Sequence, residues 1–150
     1  MQIAARADYA VRALLVLATE PHLVTGEELA ARQDLPRKFL EAILGDLRRA
    51  HVVRTRRGAQ GGYQLERPAA EVTLGQVIRA VDGPLALVRG EAPQATAYVG
   101  VAEHLPTVWV AVRAALREVL DTTTLENLAT GDLPDVVRRL AQAPDAWQQR

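Results

Sequence analysis

The 150-residue chain has no cysteine. That absence excludes disulfides, thiolate catalysis, and zinc or iron–sulfur sites held by cysteine. Long apolar runs are also missing. Although 49% of the residues are hydrophobic, no run approaches the roughly 20 residues that a membrane-spanning helix needs. The N-terminal apolar patch is interrupted by Arg6, Asp8 and Arg12. No small-residue cleavage site follows an uncharged stretch, so a signal peptide is not expected and a cytoplasmic location is. Catalytic groupings are lacking as well. No Ser/His/Asp order, metal-ligand spacing or pair of carboxylates with a credible pocket stands out, which argues against an enzyme.

Net charge is zero too, but the zero hides an asymmetry. Residues 1–67 carry a net of +3 and residues 68–150 a net of −3. Within 37–67, eight basic residues face three acidic ones. A local basic patch matters more to a polyanionic partner than the overall balance does, although an ordinary solvated surface accounts for charge alone equally well.

Helical periodicity organises the first half. Tyr9, Ala10, Ala13, Leu14, Leu17 and Ala18 predict a helix over 7–20, ended by Pro21. Thr25 with Glu28 fits a capping box for a short second helix ending near Arg32. Pro36 suits the first position of a third, whose apolar stripe is Phe39, Leu40, Ile43, Leu44 and Leu47. "HVVRTRR", "GAQGG" and "YQLE" then read as two short strands joined by a glycine-bearing loop. Thr73 with Gln76 caps a fourth helix, which Asp82-Gly83-Pro84 stops.

Residues 84–104 have no sustained period and read as a loop or linker with at most a short helical turn. From Pro106 a long helix carries Leu105, Val108, Trp109, Val112, Leu116, Val119 and Leu120 on one side. Thr123 with Glu126 is expected to cap a shorter helix, and Pro134 to open a last one. The expected class is therefore mainly α with a small β-hairpin. It comprises a winged helix-turn-helix unit at 1–83, a linker at 84–104, and a long helix with C-terminal helices at 105–150.

Helix, helix, tight turn, helix, hairpin is the order of a winged helix-turn-helix. Its third helix would enter a major groove by the N-terminal end, where Arg37, Lys38, Glu41 and Ala42 face outward. Arginine pairs with guanine, and glutamate accepts from cytosine N4. An ordinary polar helix surface is the competing reading. The hairpin favours DNA, because Arg54, Arg56 and Arg57 lead to a tip bearing Gln60 and Gly58, Gly61 and Gly62. These glycines permit positive φ and close backbone approach. A phosphate-binding enzyme loop fits poorly, since "GAQGG" matches neither GxGxxG nor GxxxxGK[ST] and no helix follows it. A purely structural tight turn stays open.

"DYAVRALLVLA", "LPRKFLEAILGDLRRAHVVRTRRGAQGGYQLERPAAEVTLGQVIRAVDGP" and "VWVAVRAALREVLDTTTLENL" together resemble the Rrf-two (IscR/NsrR/CymR-like) family of bacterial transcription regulators. The resemblance runs from about residue 1 to 130. It implies a homodimer on a palindromic double-stranded operator, with repression favoured weakly over activation. Arg37, Lys38, Glu41 and Ala42 would read bases. Arg56, Arg57, Gln60, Gly61, Gly62 and Tyr63 of the wing, with Tyr9, Arg12, Thr25 and Arg48, would contact groove and backbone. The long helix, through Leu105, Val108, Trp109, Val112, Leu116, Val119 and Leu120, would form the dimer interface, with intrachain packing as its alternative.

Many members of that family hold an iron–sulfur cluster on three cysteines between the fourth helix and the dimer helix. The matching segment here, "LVRGEAPQATAYVGVAEH", has none, so no cofactor and no metal are expected. His104 with Glu91 and Glu103 is a poor metal site, and His22 and His51 read as surface residues. The signal is then a small molecule near Trp109 and Tyr98, or a partner protein. A winged-helix protein-interaction adaptor without sequence-specific DNA binding is the alternative function.

Overall fold

The computed structural model describes residues 2–148. Seven helices occupy them: α1 (Ala5–Thr19), α2 (Gly26–Gln33), α3 (Arg37–Arg49), α4 (Leu74–Asp82), α5 (Leu105–Leu120), α6 (Leu125–Thr130) and α7 (Asp135–Ala141). Two strands, β1 (Val53–Arg56) and β2 (Gly62–Leu65), form the antiparallel hairpin between α3 and α4. The fold is mainly α with a small hairpin, in the expected winged helix-turn-helix order.

α1 is the centre of the molecule because half of its inward face is alanine. Ala10 and Ala13 are fully buried beside Leu14 and Leu17, and their small side chains let neighbouring backbones close in. Around α1 pack α2, α3, α4 and α6. α3 contributes Leu40, Ile43, Leu44 and Leu47, the i, i+3, i+4, i+7 set of one helix face. Phe39 does not belong to that face as expected. It sits about 100° of helix rotation from Leu40 and is 45% exposed. Pro36 likewise stands one residue before the helix, as its cap, with its carbonyl accepting from Leu40 at 3.0 Å.

The hairpin pairs Val53 with Leu65, Arg54 with Gln64, Thr55 with Tyr63 and Arg56 with Gly62. A third backbone segment joins it. The Tyr63 N–H donates to the Val24 carbonyl at 2.8 Å, and Val24 returns the bond at 2.9 Å. The wing is thereby tied to the α1–α2 loop.

The core does not end at the linker. Leu125 of α6 is fully buried in the cluster that holds Leu14 and Val77. Its placement follows from two backbone bonds. The Leu74 N–H donates to the Thr123 carbonyl at 2.9 Å, and the Leu125 N–H to the Val72 carbonyl at 3.0 Å. This register makes Thr124, with Asn127, the cap of α6, instead of the expected Thr123 with Glu126. Thr123 is buried and donates to the Val119 carbonyl at 2.7 Å, closing the end of α5. Thr73 and Gln76 form the expected reciprocal box on α4, with bonds of 3.1 and 3.2 Å. Thr73→Ala or Thr124→Ala is expected to remove about 1 kcal/mol of stability each. The measurement is a lowered urea midpoint at unchanged slope.

Residues 84–104 contain two single 3₁₀ turns, Pro93–Ala95 and Gly100–Ala102. Between them and α4 is a reversal in which Val88 and Glu91 exchange backbone bonds of 2.9 and 3.0 Å. No residue of α5 is fully buried. Leu105, Trp109, Val112, Leu116, Val119 and Leu120 are half-buried, and Val108 is 51% exposed.

Candidate nucleic-acid interface

The turn before α3 is set by Asp34, which takes a left-handed conformation at φ 50°. Leu35 follows, buried, its N–H bonded to the Ala30 carbonyl at 2.9 Å. These two residues fix the angle between α2 and α3. The start of α3 is then left facing solvent, with Arg37, Lys38, Phe39, Glu41 and Ala42 all exposed. No acidic residue occupies its first turn. Two cations at a helix N-terminus oppose the helix dipole, so they do not serve helix stability.

The four expected reading residues are brought together but are not equivalent. Arg37 Nε lies 3.3 Å from Glu41 Oε1, and its Nη1 lies 3.9 Å from Glu27 Oε2. Arg37 and Glu41 therefore neutralise one another in part. Lys38 meets no carboxylate among the described residues. Phe39 stands edge-on to Tyr9, ring centres 5.8 Å apart at 86°. Sequence reading missed it as a surface residue. Its offset from the Leu40 face was the available signal.

Tyr9 packs on Phe39 of α3, and Arg12 ties α1 to α2. The Arg12 guanidinium lies 5.9 Å from the Tyr9 ring centre and donates to the Gln33 backbone carbonyl and, at 3.3 Å, to Gln33 Oε1. It thus joins α1 to the end of α2. Thr25 caps α2, accepting from the Glu28 N–H at 3.1 Å. The reciprocal half of the expected box is missing, because the Glu28 carboxylate turns to Arg32 at 2.6 Å.

The wing loop spans 57–61 and turns through Gly58 at φ 111°. Gly61 and Gly62 have negative or extended backbones, and a different constraint fixes them. A Cβ on Gly62 would lie 2.7 Å from the Val24 carbonyl oxygen, and one on Gly61 would overlap the carbonyls of Arg56 and Gly58. The close approach expected of these glycines is made to the chain's own backbone. Tyr63 is half-buried, with its ring edge against Gly26. With Glu41, Leu44, Gly45 and Arg48 it lines a groove of about 150 Å³ between wing and α3.

Charge pairing is uneven over the surface. Asp46 receives both Arg6 and Arg49, Glu20 and Glu28 receive Arg32, Asp121 receives Arg79, and Asp132 and Asp135 receive Arg138. The Arg32 hydrogen bond holds the Glu20 carboxyl below its ordinary pKa. By contrast, Lys38, Arg48, Arg54, Arg56 and Arg57 are exposed with no carboxylate partner among the described residues. Arg54 and Arg56, two residues apart on β1, share one side of the strand. Arg54 faces the Gln64 side-chain amide across the ladder, and with that amide turned over its oxygen accepts from the guanidinium at 2.7 Å. Gln60 stands exposed at the tip.

Comparison with known proteins agrees with this architecture. Residues 3–131 match the model of the Rrf2 family, described as an iron-dependent transcriptional regulator. Rv1287 of Mycobacterium tuberculosis, whose name places it among HTH-type transcriptional regulators, is 45% identical over 94% of this chain and 89% of its own. The structure of CymR, the global cysteine regulator of Bacillus subtilis, superposes with a TM-score of 0.73 at 30% identity, covering 87% of this chain and 98% of that one. IscR of T. potens gives 0.70 at 29% identity, covering 88% of each. The iron of the family description does not fit this chain. It has no cysteine, and among the described residues no three His, Asp or Glu side chains gather into a metal site. Among the described residues, His104 of the linker meets Glu103 alone, at 3.4 Å. No described helix is long and apolar enough to cross a membrane.

Proposed function

We propose that the chain, which belongs to the Rrf2 family of transcriptional regulators, binds a palindromic DNA operator in the cytoplasm as a homodimer and represses by occluding the promoter. The family and its relatives are regulators, not enzymes. The observation that carries the reading is the set of unpartnered cations. Lys38 at the start of α3, Arg48 at its end, and Arg54, Arg56 and Arg57 on the wing keep their charge for an outside anion. An isolated basic patch of this kind is the electrostatic footprint of nucleic-acid binding.

In this arrangement Lys38, Arg37, Glu41 and Ala42 face base edges of a major groove, and Phe39 adds an apolar surface suited to a thymine methyl. The wing, through Arg56, Arg57 and Gln60, lies along backbone and minor groove. Tyr9, Arg12, Thr25 and Tyr63 act from behind, holding α3 and the wing at a fixed separation, with Gly61 and Gly62 keeping the wing against Val24. Residues 1–83, with α6 packed into their core through Leu125, are the DNA-binding unit, 84–104 the connection, and α5 the dimerisation element. The stripe from Leu105 to Leu120 supports that last assignment. It leaves Val108 in solvent, and the Trp109 indole N–H is shielded with no acceptor. The signal is carried by a small molecule or a partner protein, not by a cluster.

Selection of bound duplexes from a random pool tests the reading. It is expected to return an inverted repeat with half-site centres about 34–36 Å apart or a multiple of that spacing. Recovery of no preferred sequence would replace the regulator with a protein-interaction adaptor.

A further inference from the structure

Three arginines converge on a cavity that the DNA-binding reading does not use. It lies where α4, the start of the linker and α5 meet, and its volume is about 290 Å³. Arg79 comes from α4, and Arg113 and Arg117 from successive turns of α5. Pro84, Leu85 and Leu87 form apolar walls. No aspartate or glutamate lines the cavity. The nearest relevant carboxylate, Asp121, stands 2.8 Å from Arg79 and compensates only that one. Arg113 and Arg117 have no carboxylate partner among the described residues, and they are like charges at i, i+4 on one helix. Such a pair disfavours the helix that carries it. Of the acids nearby, Glu118 reaches Arg139 at 3.5 Å, and Glu91, between the lining residues Gly90 and Ala92, does not itself line the cavity.

We propose that this cavity is an effector site for a small carboxylate with an apolar body. The carboxylate would take the Arg113 and Arg117 guanidinium groups, which suit planar, bidentate recognition. The apolar body would cover Leu85, Leu87 and Pro84, which a bare inorganic anion would leave wet. The volume, about ten water molecules' worth, limits the ligand to a small metabolite. Regulation by this ligand rests on the DNA-binding reading above. A ligand held by its carboxylate on α5 and by its apolar body against Pro84, Leu85 and Leu87, just past the end of α4, fixes the orientation of the winged unit against α5. Half-site separation depends on that orientation, and a bound carboxylate therefore shifts operator affinity, by roughly the 5–150-fold typical of coupled sites.

Titration calorimetry on the full chain, with hexanoate as probe and inorganic phosphate at matched ionic strength as comparison, tests the site without DNA. Saturable binding of hexanoate, tighter than that of phosphate, is expected. Arg113→Gln with Arg117→Gln should weaken it at least tenfold, and Arg138→Gln should leave it unchanged. Leu87→Glu, a second variant at an exposed position that places a carboxylate in the wall, should also abolish it. Failure of hexanoate to saturate, phosphate binding more tightly, or undiminished binding in the arginine and Leu87 variants would each overturn the site. Hexanoate is then added to an operator-binding assay. An unchanged operator affinity with intact, arginine-dependent hexanoate binding would overturn the regulatory coupling alone. Absence of operator binding with intact hexanoate binding would strike the DNA reading and leave the site standing.

Discussion

Val108→Glu, alone and combined with Val101→Glu, is expected to yield a folded monomer whose operator affinity falls by about 10²–10⁴, the usual gain from linking two binding units. Both valines already face solvent in the single chain, Val101 entirely. A charge there costs the isolated fold little. In a dimer it must be buried or keep the subunits apart, and an unpaired buried carboxylate is heavily penalised. Three features of α5 point to a partner at this face. None of its residues is fully buried, although its stripe is apolar. Trp109 and Val112 border an open apolar hollow of about 530 Å³ with Leu87 and Val88. The shielded Trp109 N–H still lacks an acceptor. Sedimentation velocity, with circular dichroism as the folding control, reads the result. A dimer persisting in the double variant, with operator affinity intact, would move the interface elsewhere.

Local periodicity and end chemistry made most of the fold legible. α1, α3 and α4 followed from apolar spacing, and the caps at Thr25 and Thr73 from side chains that reach three residues ahead. Legibility ended where a long-range contact decided between local options. Thr123 and Thr124 both head a plausible box, and only the backbone bonds to Val72 and Leu74 select Thr124. Phe39 and Leu40 are adjacent and both apolar. The packing of α3 against α1 decides which one is buried, and Tyr9 then takes the other. The wing glycines were visible, but the Val24 carbonyl that explains Gly62 lies 38 residues earlier in the chain. The same holds for the arginine cavity. Arg79 and the Arg113/Arg117 pair are distant in sequence, and no local pattern brings them together.

The candidate reading surface shows a similar division between type and pairing. Arg37 and Glu41 are four residues apart, so their partial neutralisation was readable from spacing alone. What spacing did not show is that Arg6, Arg32, Arg49, Arg79 and Arg138 are matched to acids while Arg54, Arg56 and Arg57 of the wing are not. That difference turns a nearly neutral chain into one with a concentrated positive surface, without changing its net charge of zero.

That surface sets a quantitative expectation for the wing. Arg56→Ala with Arg57→Ala removes two cations from each subunit, hence four phosphate partners from a dimer on its operator. The slope of log affinity against log salt should become shallower by about 3.6, at about 0.9 for each phosphate no longer neutralised. Sequence preference should stay the same, because backbone contacts position the protein and carry no base identity. Lys38→Ala should behave differently. It costs about 1–3 kcal/mol against the preferred base and relaxes selectivity at one position of each half-site, as removal of a base-edge hydrogen bond does. Arg37→Ala should change the salt slope less than Lys38→Ala, because its charge is already shared with Glu41 and Glu27. Both substituted wing residues are exposed and unpaired, so stability should change by no more than about 0.5 kcal/mol. Binding isotherms between about 50 and 200 mM salt separate these outcomes. An unchanged slope in the wing variant would remove Arg56 and Arg57 from the interface. A relaxed sequence preference in the same variant would make the wing a reader of bases, with its arginines acting in the minor groove rather than along the phosphates.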